Sequence, residues 1–72
     1  MNDLAELEKN NPILVFFHYE HLPPNLAEIS KPICDLAVDM AFRLPRCAEL
    51  TVGLRKLLEA KDALVRAKLS GV

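Results

Sequence analysis

The chain has little of what usually announces a protein's chemistry. Its 72 residues include two cysteines, Cys34 and Cys47. They lack Cys-x-x-Cys spacing and neighbours that would complete a zinc site, which excludes a disulfide framework and a cysteine metal cluster. Both are expected to be small buried hydrophobes. No apolar run approaches membrane-spanning length, and the acidic N-terminus is unlike a signal peptide, so a soluble, intracellular protein is expected. The sequence contains no HExxH motif, glycine-rich phosphate loop, nucleophile elbow or deaminase signature. No catalytic residue, metal ligand or cofactor is assigned, and no internal repeat or low-complexity tract interrupts the chain. His18 and His21 are three residues apart with only Glu20 nearby, a poor ligand set. Glu49, Glu59 and Asp62 read as solvated helix charges, because paired carboxylates alone do not define acid/base catalysis.

What is present is apolar content and segregated charge. Hydrophobic residues make up 51% of the chain. Folding as a monomer would bury roughly 7000 Å². If about 60% of that is apolar, burial supplies on the order of 100 kcal/mol, close to the ordering cost at roughly 1.5 kcal/mol per residue. A lone copy is therefore marginal, and further burial between subunits is expected. Residues 1–30 hold five carboxylates and one lysine, a net −4; residues 31–72 hold eight basic and five acidic groups, a net +3. That second balance suits a compact anion or an acidic partner but is too mild for a general duplex-binding surface, so no duplex nucleic acid is expected.

The pattern reads as a single all-α domain over residues 1–72. It comprises a short helical arm over 3–9, a connector containing Phe16, Phe17 and Tyr19, and an antiparallel helical hairpin assembled into a homo-oligomer. Asn10, Asn11 and Pro12 end the arm. Pro23 holds Leu22 extended, making Tyr19 to Pro24 an ordered connector. A short turn from Pro24 leads to a helix from about Lys31 to Arg43 or Leu44, capped by Ser30 with Pro32 in its first turn. Ile33, Leu36, Ala37, Met40, Ala41 and Leu44 mark its inner face, joined by Leu26 and Ile29 if the preceding turn is continuous. Val38 and Phe42 form a second apolar stripe, read as a subunit contact with an exposed or locally covered pair as the alternative. Leu44-Pro45-Arg46 separates the helices.

The second helix, AELTVGLRKLLEAKDALVRAKL, spans Ala48 to Leu69 and ends near Ser70-Gly71, where glycine can cap it. Cys47, Leu50, Leu54, Leu57, Leu58, Leu64, Val65 and Leu69 share one apolar arc. Lys61 and Lys68 project from the same arc. Either their stems cover apolar surface while the ammonium groups reach water, or Lys61 faces a carboxylate or phosphate at an assembly surface. Arg55, Lys56 and Arg66 lie outside the arc, partly offset by Glu59 and Asp62.

One constellation suits a nucleotide. Tyr19, with His18 or His21, offers an aromatic surface and hydrogen-bond donors, while Ser30 and Lys31 would stand at a helix N-terminus where backbone amides attract anions. A base can stack on the tyrosine as the lysine and serine meet phosphate oxygens. Alternatively, Tyr19 fills the core and Ser30 only caps.

The segments FHYEHLPPNLAEISKPICDLA and AELTVGLRKLLEAKDALVRAKL together resemble the phage Acb2 family of anti-CBASS cyclic-oligonucleotide-sequestering proteins and its short helical-hairpin relatives. The resemblance covers roughly residues 16–69; LRKLLEAKDALVRA is its most specific part, supported by HLPPNL and SKPICDLA. It implies a homohexamer that binds cyclic nucleotides without degrading them, in the cytoplasm of the infected bacterial host. It also implies an aromatic and basic pocket between subunits for cyclic dinucleotides, with Tyr19, His21, Ser30 and Lys31 as candidates, and separate basic sites for cyclic trinucleotides, with Arg55, Lys56, Lys61 and Arg66 as candidates. Ile33 and Leu64 stand in otherwise familiar surroundings and suit packing without indicating ligand preference. The function expected is non-enzymatic sequestration of cyclic di- and/or trinucleotide messengers. A helical oligomeric adaptor for an acidic protein and a small nucleic-acid-binding regulator are the alternatives.

Overall fold

The computed structural model describes residues 3–70. All of its regular elements are helical: α1 (Asp3–Asn10), a 3₁₀ helix (Pro12–Phe17), α2 (Pro24–Arg43) and α3 (Ala48–Leu69). Together they make a slab 38 × 27 × 16 Å, in which α2 and α3 pack on each other, the 3₁₀ helix lies against both, and α1 lies against the 3₁₀ helix and α2.

α1 ends where Asn11 turns back: its backbone N–H donates to the Leu7 carbonyl at 2.8 Å, and Nδ2 donates to the same oxygen at 3.3 Å. Pro12 starts the 3₁₀ helix, whose three-residue period puts Leu14 and Phe17 on one edge and Ile13 and Phe16 on the next. Leu14 and Phe17 are fully buried. They anchor a core completed by Cys34, Ala37, Ala41, Leu50 and Leu54, with Leu7, Ile13, Tyr19, Val38 and Leu57 packed around it.

α2 differs from its sequence-based expectation. It begins at Pro24, with the Pro23 carbonyl accepting from Leu26 N–H at 3.0 Å and Ala27 N–H at 2.9 Å, and it runs unbroken through Ser30 and Pro32. Pro32 removes one helical donor, but its ring is exposed and Leu26, Ser30, Cys34, Ala37 and Ala41 form a continuous buried stripe on both sides of it. Packing of that stripe holds the helix together across the proline. The buried face is consequently rotated from the expected one: Leu36 and Leu44 are exposed, whereas Val38 packs against the core. Phe42, 54% exposed, lies at the rim of a cleft that Leu4 and Val38 also line.

Leu44 is extended before Pro45 (φ −112°, ψ 149°), which stops α2. Cys47 precedes α3 and accepts through its carbonyl from Thr51 N–H at 3.2 Å. It is exposed, in contrast to the buried position expected for it; only Cys34 is in the core. At the far end Ser70 N–H donates to the Arg66 carbonyl at 3.0 Å, and Ser70 Oγ approaches the same oxygen at 3.1 Å. The expected Gly71 cap lies outside the described residues.

Candidate functional site

Tyr19 follows the 3₁₀ helix at the point where the chain leaves the core. Its N–H donates to Glu20 Oε1 at 3.2 Å, and its carbonyl accepts from Leu22 N–H at 3.0 Å. The residue is half-buried and packs against the core. Lys31, the residue after the buried Ser30 on α2, places Nζ 5.9 Å from the centroid of the Tyr19 ring. Two of the four residues expected at the dinucleotide site therefore meet, although they belong to different elements.

The other two do not join them in the expected way. Ser30 is 0% exposed and lies inside α2, so it is neither an N-cap nor a surface hydroxyl, and its Oγ has no hydrogen-bond partner among the described residues. Lys31 consequently does not sit at a helix N-terminus. Its Nζ lies 2.7 Å from Asp35 Oδ2, and that hydrogen bond and charge hold the lysine's pKa above its ordinary value, with a smaller contribution from Tyr19. His21 is exposed in the turn before Pro23. His18 is turned toward α1 instead, with Nε2 2.7 Å from Glu8 Oε2.

The space beside Tyr19 is acidic. A cleft of about 360 Å³ runs along it, with Glu8, Glu20, Asp35 and Asp39 among its walls; no lysine or arginine lines it among the described residues. Asp39 is held by Arg43 Nε at 3.0 Å. An anion reaching Tyr19 would thus avoid the cleft side and approach from Lys31.

On α3, Arg55, Lys56 and Arg66 are exposed, whereas the Lys61 side chain is only 12% exposed, with Nζ 3.0 Å from Asp62 Oδ1. The long stem of Lys61 therefore covers apolar surface, and the carboxylate it meets belongs to its own helix. Helix geometry spreads these four cations: Arg55 and Arg66 share a face about 16 Å apart along the axis, and Lys56 and Lys61 point elsewhere. A single protomer does not bring them into one pocket.

Two further surfaces were not singled out by sequence reasoning. Phe16, 66% exposed, lines a cleft of about 360 Å³ with Pro12, Ile13, Arg55 and Leu58. The signal for it is the three-residue spacing that separates Ile13 and Phe16 from Leu14 and Phe17. A second groove, of about 540 Å³, is almost wholly apolar and lies between α2 and α3, where Leu36, Met40 and Leu44 face Leu50, Gly53 and Leu57.

Among the described residues no group of three or more His, Cys, Asp or Glu side chains is placed to hold a metal ion. None of the helices is long and apolar enough to cross a membrane. No protein-family model, curated protein or solved structure matches the chain.

Proposed function

We propose that this protein binds cyclic di- and/or trinucleotide messengers without turning them over. Acting in the cytoplasm of an infected bacterium, it keeps them from the CBASS effector they would activate. The observation that carries this reading is the Tyr19–Lys31 pair, an aromatic face and a cation held 5.9 Å apart by separate elements at a partly open surface. Stacking on an aromatic ring is worth about 1–3 kcal/mol per base and tolerates any base, and a lysine beside the ring supplies a point charge for phosphate. The resemblance of residues 16–69 to cyclic-oligonucleotide-sequestering proteins supports the same reading.

The working form is an antiparallel helical hairpin assembled as a homohexamer. A compact monomer of 8.1 kDa exposes about 4500 Å² by surface scaling, and this chain exposes 5046 Å². The excess is accompanied by an open apolar groove along α2 and α3. Gly53 lines that groove in mid-helix, where it costs about 1 kcal/mol relative to alanine; an added Cβ there meets nothing within 4 Å in its own chain. Close approach by another copy along this groove is the use proposed for the glycine.

Calorimetric titration with a panel of cyclic di- and trinucleotides, set against linear nucleotides and duplex DNA, tests the reading. Preferential binding of the cyclic ligands supports it. Salt-steep binding to duplex DNA alone favours a nucleic-acid regulator, and no binding to any of these favours an adaptor for an acidic protein.

A further inference from the structure

We infer that Phe16 and Arg55 form a second nucleotide contact, in which a base stacks on the phenyl face and the guanidinium takes the adjoining phosphate. This rests on the cyclic-nucleotide reading above. Phe16 is a large aromatic left mostly in solvent by a segment that is otherwise tightly anchored, because Phe17 and Leu14 on the neighbouring edge of the 3₁₀ helix are fully buried. The backbone carrying the ring is thereby fixed by the core, which makes the ring a preorganised platform. An isolated exposed phenylalanine is ordinary. What distinguishes this one is that Arg55 of α3 lines the same cleft, together with Ile13 and Leu58.

The two clefts that border an aromatic ring differ in charge, so a phosphate can enter the Phe16 cleft itself, whereas it reaches Tyr19 from the Lys31 side. The Tyr19 cleft has four carboxylates in its walls, whereas the Phe16 cleft has none and contains Arg55. Arg55 makes no ion pair among the described residues, while Lys31 is already held by Asp35. An arginine can present two parallel N–H donors to a phosphate. The volume, about 360 Å³, suits one base with its phosphate rather than a whole cyclic ligand, so the site recognises a single nucleotide unit and leaves the rest of the ring outside.

The chain has no tryptophan, so Phe16→Trp installs one fluorophore that keeps an aromatic face. Titration of that variant with cyclic di-AMP and with cyclic tri-AMP is expected to quench its emission saturably. Arg55→Gln in the same background should raise the apparent Kd about tenfold. Phe16→Leu, which retains apolar cover but not the π-face, should weaken calorimetric binding at least fivefold while leaving the circular dichroism unchanged. Wild-type binding of either probe with no quench and no effect of Arg55→Gln would overturn this site and leave the broader function intact. Failure of the wild-type protein to bind both probes would overturn both.

Discussion

The ammonium of Lys31 stands 5.9 Å from the centroid of the Tyr19 ring, across the junction between the 3₁₀ segment and α2. Asp35 takes one of the three ammonium protons of that lysine, which leaves two for a ligand beside the half-buried ring. Tyr19→Ala is expected to weaken cyclic-dinucleotide binding about tenfold through lost stacking, and Lys31→Ala by a similar factor through a lost charge-assisted contact. Asp35→Asn should do the reverse, because Asp35 holds Lys31 at 2.7 Å and competes with phosphate for it. Calorimetry of the folded variants checks all three, and unchanged affinity in the first two would refute the placement.

Ser30 separates two accounts of α2. As an N-cap, its replacement by alanine would cost about 1 kcal/mol. As a buried mid-helix hydroxyl without a partner among the described residues, Ser30→Ala should instead stabilise the protein by about 1 kcal/mol, combining removal of an unsatisfied polar atom with better helix propensity. Urea unfolding monitored by circular dichroism reads the sign. Nucleotide affinity should not change.

Phe42 is 54% exposed beside Leu4 and Val38. Phe42→Asp should shift sedimentation toward smaller species, because a carboxylate beside Glu8 and Asp39 adds repulsion and desolvation cost where apolar area had been covered. A weakening of about 1–2 kcal/mol per protomer is expected from the lost burial. An unchanged sedimentation profile would remove Phe42 from the interface, and a stable, fully folded wild-type monomer would remove the interface itself.

The two cysteines should react at very different rates. Cys47 is exposed before α3, whereas Cys34 is buried in the core, and burial pushes its thiol pKa up, with Asp35 adding to the effect. Less thiolate and less access both slow attack by Cys34. Iodoacetamide at pH 8 should label Cys47 first, with Cys34 labelled only upon unfolding, as read by peptide mass spectrometry. Equal rates would contradict the burial of Cys34.

The sequence was most legible where a single period dominates. The helix expected over Ala48 to Leu69 matches α3 in its bounds, although Leu64 and Leu69 of its apolar arc are exposed, and the proline-bounded arm matches α1 within a residue. It misled at Ser30, where Ser-Lys-Pro imitates a helix start. The true start is Pro23-Pro24, and the buried stripe of Leu26, Ser30, Cys34, Ala37 and Ala41 carries the helix past Pro32. The 3₁₀ helix was hidden because Ile13 to Phe17 is a continuous apolar run, in which a period of three leaves no polar marks. The unbroken stripe sets the buried face of α2 apart from the expected one, and the three-residue period of the 3₁₀ helix leaves Phe16 exposed. Tyr19 and Lys31 were visible as residue types, but their proximity depends on where the 3₁₀ segment ends.

Binding without turnover is decided by recovering the ligand. The purified protein is saturated with a cyclic dinucleotide or trinucleotide that calorimetry shows to bind, incubated, and denatured, and the released nucleotide is resolved by chromatography. Stoichiometric recovery of the unchanged cyclic molecule is expected. Arg55, Lys31 and Arg66 can neutralise phosphate charge, but an arginine cannot act as a general base at ordinary pH. Linear products formed over multiple turnovers would contradict it and make the protein a phosphodiesterase.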